Sequence, residues 1–384
     1  MPVTIEHMQN SYVIQHLMDK QAQIIYIETE LQRVITAYYQ TPNTVSLTQW
    51  LVDEMSKLYD LSPSFDDVLY IYYYEYLDEN IADALFSWIH STLCNKKNIV
   101  LLTHTIGLEQ YYKNYCAFYR ISPVTLIEVA GSAAGTPSAI KLIDVNDKNT
   151  KNIEHVFSYY GGTYGSKVYD KTLTYIMLTN TNVGVVDRMF DFCERSFLEN
   201  NLEKLTEYVD VNQVNSILND YDRLLESTYK KPEHSYQHVD NDTMLLANRT
   251  HTHENELFHS QIDNKCFASA IRETGDVNCI GFSGWSEKTS RCILNKCFPI
   301  PLSGMSMDPW REWGYWVPDI IDYSYLQEVN VLKRLQVLST ELVRLSKLDL
   351  TDYYNSNFDK ILHNQHNLLY NHKKKIMKRI NEIT

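Results

Sequence analysis

Cys266-Phe-Ala-Ser-Ala-Ile-Arg-Glu-Thr274, a loop holding Gly275, Gly281 and Gly284, then Trp285-Ser-Glu-Lys-Thr289 and Cys297-Phe-Pro-Ile-Pro-Leu302 form the stretch that decides the fold. The first and last pieces are short apolar runs bounded by turn residues, the pattern of strands buried on both faces. Between them the spacing predicts a glycine-containing loop and a helix that opens with charged residues. Strand, helix and strand in that order make a βαβ unit, which requires a parallel sheet. Glu287 and Lys288 stand side by side at the helix start, where unpaired backbone N–H groups favour anions. A carboxylate beside an ammonium there suits a ligand carrying both hydroxyls and phosphates.

The same alternation runs upstream. Residues 1–22 read as a short helix or arm. Ala22 to Glu28, Asp67 to Tyr72, Asn98 to Thr103 and Val124 to Ala130 read as strands. Helices are expected over 46–58, with Ser46 as cap, over 79–94 and over 107–119. The polar run Asp144-Val-Asn-Asp-Lys-Asn-Thr-Lys-Asn152 has no periodicity and marks a boundary. The pattern restarts with a strand at 154–160, a helix at 171–179, an acidic helical region at 187–230 and a short strand at 244–248. After Leu302 come a turn, a short helix with Trp310, Trp313 and Trp316, and a long helix from about Tyr325 to Lys347. The expected class is α/β, with two Rossmann-like domains at 1–150 and 151–348 and a helical tail at 349–384.

Composition narrows the functional classes. The net charge of −13 argues against a sequence-blind nucleic-acid coat, though not against a local basic cleft. The 29 tyrosines lie mostly in amphipathic or strand-like runs and read as core and sheet. Seven cysteines without Cys-x-x-Cys spacing suggest neither a zinc nor a disulfide framework and favour a reducing compartment. Met-Pro-Val-Thr-Ile-Glu-His7 does not read as a signal peptide, and no apolar run is long enough for a membrane span, so a cytoplasmic location is expected.

Several smaller features bear on chemistry. The strand at 154–160 runs into Gly161-Gly-Thr-Tyr-Gly-Ser-Lys167, with Lys171 nearby, an anion-facing turn or an ordinary βα loop. Arg249, directly after a strand, is a candidate partner for phosphate or carboxylate. His251, His253 and His259 allow a zinc reading, but a polar loop entering a helix accounts for them better, and no metal is assigned. Lys373-Lys-Lys-Ile-Met-Lys-Arg379 is a solvated helix end or a nucleic-acid contact.

Four pieces in order carry a resemblance: Ser286-Glu-Lys-Thr289, Phe298-Pro-Ile-Pro301, Gly314-Tyr315 and Ile321-Asp-Tyr-Ser-Tyr325. Together they resemble the C-terminal half of two-domain GT-B glycosyltransferases. The likeness is to fucosyltransferase-like enzymes and to glycosyltransferase-like proteins of phages and large viruses. It spans roughly residues 154–347. The resemblance implies two Rossmann-like domains facing across a cleft and metal-independent transfer of a sugar from a nucleotide-sugar, which is a donor substrate rather than a cofactor. The chain would then work in cytoplasm, that of the host cell if it is viral.

By that likeness Glu287 would hold the ribose hydroxyls and Lys288 the diphosphate, flanked by Ser286 and Thr289. Glu273 would be a donor-side carboxylate. In the viral group the loop after the first strand of the second domain is rich in arginine and histidine. Here Lys167 or Lys171 would take the cationic role. A general base would come from the first domain, with Glu28, Glu75 and His104 as candidates. The acceptor is a glycan or small molecule, or a hydroxymethylated base in DNA. The alternative from another class is a catalytically inactive glycosyltransferase-like protein that binds or builds.

Overall fold

The computed structural model describes residues 12–41, 45–59, 68–73, 79–94, 98–129, 150–160, 174, 177–178, 181–187, 263–271, 283–284, 287–302 and 306–383. Among them lie two parallel sheets of four strands each, the α/β class expected, followed by C-terminal helices.

The first sheet takes its strands in chain order: β1 (Gln23–Tyr26), β2 (Val68–Tyr73), β3 (Asn98–Thr103) and β5 (Thr125–Glu128), all parallel. Crossovers of one hand stepping always the same way put every connecting helix on the same face. Leu69, Ile71, Ile99, Leu101 and Leu126 point to that face and form one core with the connecting helices. The intervening residues Tyr70, Tyr72, Val100, Leu102 and Ile127 point the other way and belong to a second core. Strand periodicity of two thus separates the sheet's two faces residue by residue.

Before β1 comes α1 (Tyr12–Asp19). The connecting helices are α2 (Glu28–Gln40), α3 (Leu47–Leu58), α4 (Glu79–Trp88, prolonged by a π turn over Ile89–Leu93) and α5 (Leu108–Tyr119). Ser46 caps α3 by accepting from the Gln49 N–H, as expected. The sequence reading did not name α2. Its inward stripe of Leu31, Val34 and Ile35 is short and sits among polar residues, so the strand before it dominates the local pattern.

The second sheet has the order β7-β6-β8-β10, with β6 (His155–Tyr160), β7 (Gly184–Asp187), β8 (Cys266–Ile271) and β10 (Phe298–Pro301). Strand β7 corrects the expected helix beginning at 187, since Asp187 closes a strand. Gly184 disguises it as a turn. The glycine is required because the Phe157 ring lies where a Cβ would stand. The helix at 187–230 and the strand at 244–248 otherwise fall outside the described residues.

Edge strand β10 explains its two prolines. Pro299 and Pro301 lack an N–H, so their outward edge offers only carbonyls. Tyr323 Oη donates to Pro299 O at 3.1 Å and Tyr325 Oη to Pro301 O at 3.0 Å. These tyrosines lie on a 3-10 turn (Tyr323–Gln327), so the long helix starts later than expected, at α8 (Val331–Leu345). Asn330 caps it through the Lys333 N–H.

At the opposite end of the second sheet, Lys151 is buried and ties three chain segments together. Its ammonium donates to Asp263 O at 2.7 Å and to Cys297 Sγ at 3.1 Å, with Cys266 O at 3.5 Å. The Asp263 carboxylate accepts from Ser158 Oγ at 2.6 Å and from Asn295 Nδ2 at 2.8 Å.

The chain then returns to the first sheet. After α7 (Asp308–Glu312) and α8 come α9 (Leu350–Ser356), α10 (Phe358–His366), a π turn (Asn367–His372) and α11 (Lys373–Asn381). Ile376 and Ile380 of α11 join the core behind the first sheet, with Val13, Ile14 and Leu17 of α1. Arg379 bonds Glu109 Oε2 at 2.8 Å and Leu126 O at 3.1 Å. No described helix is long and apolar enough to cross a membrane.

Two outcomes are expected. Lys151→Met should lower stability by about 3 kcal/mol in urea melts, since it strips buried carbonyls of their donor; a change within error would refute the tie. Deleting residues 373–384 should abolish cooperative unfolding of the first sheet. Retained near-ultraviolet dichroism and a single transition would show the tail to be dispensable.

Candidate functional site

In open α/β sheets, ligands bind beyond the carboxyl ends of the strands, where the strand order reverses. The second sheet reverses between β6 and β8, because β7 lies on one side of β6 and β8 on the other. The two strands that flank this point end at Tyr160 and Ile271. Beyond them in sequence stand Gly161 to Lys167 and Glu273. Glu273, Lys167, Lys171, Arg249, Ser286, Glu75 and the three histidines His251, His253 and His259 lie outside the described residues. No described group of His, Cys, Asp and Glu could hold a metal ion.

The helix expected after the glycine loop is α6 (Glu287–Leu294). Glu287 and Lys288 are its first two residues, so their backbone N–H groups belong to the unpaired first turn. Thr289 and Ser290 are buried on its inner side. Immediately upstream, β9 (Ser283–Gly284) pairs antiparallel with β4 (Thr105–Ile106), matching Thr105 with Gly284 and Ile106 with Ser283. Strand β4 follows the carboxyl end of β3, with only His104 between them. This bridge brings the end of a first-sheet strand to the start of α6. Of the candidate bases among the described residues, His104 is the one that adjoins this bridge. Glu28 begins α2 at the end of β1, with β2 standing between that strand and β3.

His104 is 4% exposed and its Nε2 lies 2.6 Å from Tyr72 Oη. Burial pushes its pKa down from 6.5 to about 3, so the imidazole is neutral at physiological pH. It is a neutral, enclosed partner of Tyr72 as it stands, not a solvent-facing base.

A second carboxyl, which the sequence reading passed over, sits one strand away. Glu128 ends β5, is 5% exposed and pairs in register with Thr103. Its Oε1 accepts from the Glu109 N–H at 2.9 Å and its Oε2 from Trp313 Nε1 at 3.1 Å. Burial raises its pKa from 4.5 to about 7 against the pull of those two N–H bonds. The signal was present in Val124-Thr-Leu-Ile-Glu-Val-Ala130, where a lone carboxylate interrupts a strand that is otherwise largely apolar.

A cavity of about 770 Å³ opens elsewhere, along the segment that follows β10. Asp308, Arg311, Asp319, Asp322 and Arg344 are among its walls, whereas His104 and Glu128 are not among the described lining residues. Arg311 is paired with Asp308 at 2.7 Å and Arg344 with Glu341 at 2.6 Å. Of the basic run on α11, Lys375 donates to Glu312 O at 2.7 Å and Lys373 lies over the Tyr12 ring. Arg379 is bonded to Glu109, while Lys373, Lys374, Lys375 and Lys378 remain exposed.

Comparison with known proteins adds no family. No protein-family model matches this sequence, and no curated protein matches it.

The buried imidazole makes a sign-defined expectation. A histidine whose folded pKa is depressed stabilises the fold above its unfolded value near 6.5 and loses that contribution as pH falls toward 3. His104 should therefore show no imidazole titration by NMR between pH 5 and 8. His104→Gln should weaken the acid sensitivity of stability below pH 6.5. An imidazole titrating near 6.5 would contradict the placement.

Proposed function

We propose that the chain is a glycosyltransferase of the GT-B type, transferring a sugar from a nucleotide-sugar to an acceptor hydroxyl. The observation that supports this reading is the β4–β9 bridge, which pairs Ser283-Gly284, a few residues ahead of α6, with the chain just past the carboxyl end of β3. Two Rossmann-like sheets whose ligand-binding ends are joined in this way suit a donor on the second sheet and an acceptor on the first. Glu287 would accept hydrogen bonds from the ribose diol, and Lys288 would neutralise charge growing on the departing diphosphate. The helix start adds backbone N–H groups to the same anion. Glu273, Arg249, Lys167 and Lys171 remain candidate donor contacts.

The acceptor favoured is a glycan or small molecule. A DNA base would call for a basic surface. The net charge is −13. One observation favours a protein that binds without catalysis: the imidazole of His104 is enclosed. Glu28 and Glu75 then stand as the candidate bases.

A panel of nucleotide-sugars, followed by thermal shift and by release of free nucleoside diphosphate, tests the reading. One donor should raise the melting temperature, and Glu287→Ala and Lys288→Ala should each weaken its binding roughly 10- to 100-fold, the worth of a charge-assisted hydrogen bond. A shift without turnover would favour the binding protein. No shift from any donor would end the glycosyltransferase reading.

A further inference from the structure

The cavity of about 770 Å³ beyond β10 is built from three pieces of chain: residues 306–311, residues 318–327 and Arg344 near the end of α8. Its floor is apolar, since Met307, Ile321 and Leu326 line it and are buried. Its rim is charged, since Asp308, Arg311, Asp319, Asp322 and Arg344 line it and are exposed. Bonds within the chain hold these charges in place. Ser306 Oγ donates to Asp308 Oδ2 at 2.7 Å, and Arg311 Nη1 donates to Asp308 Oδ1 at 2.7 Å. Arg344 grips Glu341 through Nε and Nη2, both at 2.6 Å, and also donates to Ile320 O. Asp319 accepts from Tyr353 Oη, and Asp322 from the Ser324 N–H. A carboxylate can accept roughly four hydrogen bonds and a guanidinium can donate about five, so both kinds of group keep capacity toward a ligand.

We propose that this cavity is a binding site for a neutral saccharide, a pyranose unit held by its hydroxyls, distinct from the donor site at α6. A sugar hydroxyl both donates and accepts, so it is matched by a carboxylate and a guanidinium side by side, as Asp308 and Arg311 stand. A pyranose also has apolar C–H faces, which the floor of Met307, Ile321 and Leu326 would cover. An anion is disfavoured. The described walls set three carboxylates, Asp308, Asp319 and Asp322, against two guanidiniums, and each guanidinium is already paired with a carboxylate. A metal cation finds no described group of His, Cys, Asp and Glu that could hold it. The volume lies within the roughly 300–1,000 Å³ of small-ligand clefts. Because the charged pairs are already formed, binding would order few further side chains. On a glycosyltransferase such a site would retain a glycan without touching the sugar being transferred. The site itself does not rest on that activity or on the identity of any donor.

Saturation-transfer difference NMR on the full chain tests this. The probes are the methyl pyranosides of glucose, galactose, mannose, fucose and N-acetylglucosamine, with lactose and maltose. At least one should receive saturation, strongest at its ring C–H protons. Asp308→Asn and Arg311→Ala should each weaken its binding about tenfold, the worth of one charge-assisted hydrogen bond. Both side chains are exposed, so the melting temperature and near-ultraviolet dichroism should hold. Inorganic phosphate and diphosphate should not displace the sugar. The proposal is overturned if no probe binds, if binding is undiminished in both variants, or if phosphate or diphosphate competes, which would mark an anion site. A nucleotide-sugar that displaces the saccharide, and whose own binding falls in Asp308→Asn, would place the donor in this cavity and overturn it as well. Unchanged donor binding in Glu287→Ala and Lys288→Ala would count against the transferase reading alone.

Discussion

Four parallel strands taken in chain order leave Tyr70, Tyr72, Val100, Leu102 and Ile127 on a face that receives none of the connecting helices. Burial of a large apolar side chain is worth about 1.5–3 kcal/mol. Five such residues left wet would forfeit on the order of 10 kcal/mol, as much as the whole stability of many domains. The face must be covered from outside the βα succession. Helix α1 and the end of the chain, α11, do it. That requirement brings the last helices back across the molecule and makes the two halves share one core.

The consequences reach the candidate site. Because α11 returns to β5, Arg379 meets Glu109 and Leu126 at the same end of the sheet where Trp313 meets Glu128. The carboxyl ends of β3 and β5 are therefore the place where the halves touch, and β4 pairs with β9 at that place. The same return ties Arg379 of the basic run to Glu109, while the lysines of that run stay exposed.

Polar groups mark the other fixed points of the second sheet. Lys151 joins the chain entering the sheet to Asp263 and Cys297, and the prolines of β10 present carbonyls that two tyrosines close. An edge strand finished in this way offers no free ladder to another chain. The tyrosines of Tyr323-Ser-Tyr325 thereby have a structural reason to follow a Phe-Pro-Ile-Pro strand, independent of any ligand.

How much was legible in the residues follows from the range of the forces involved. Alternation of short apolar runs with amphipathic stripes is a local signal, and it sufficed for the α/β class, for most strands and for a helix opening at Glu287-Lys288. It failed at β7, where the close approach of Phe157 demands a glycine that reads as a turn, and at α2, whose stripe is short. It also could not decide the state of His104 or Glu128. A histidine after a strand and a glutamate inside one are plain in the sequence, but their protonation depends on burial. Burial is produced by elements distant along the chain: Tyr72 beside His104, and Trp313 beside Glu128. The sequence by itself determined most of the described strands and where a helix opening with charged residues would start, because those depend on neighbours a few residues away. Only the tertiary structure decided strand order, the reversal between β6 and β8, and which ionisable groups meet, because desolvation and pairing are set by contacts that no local pattern encodes.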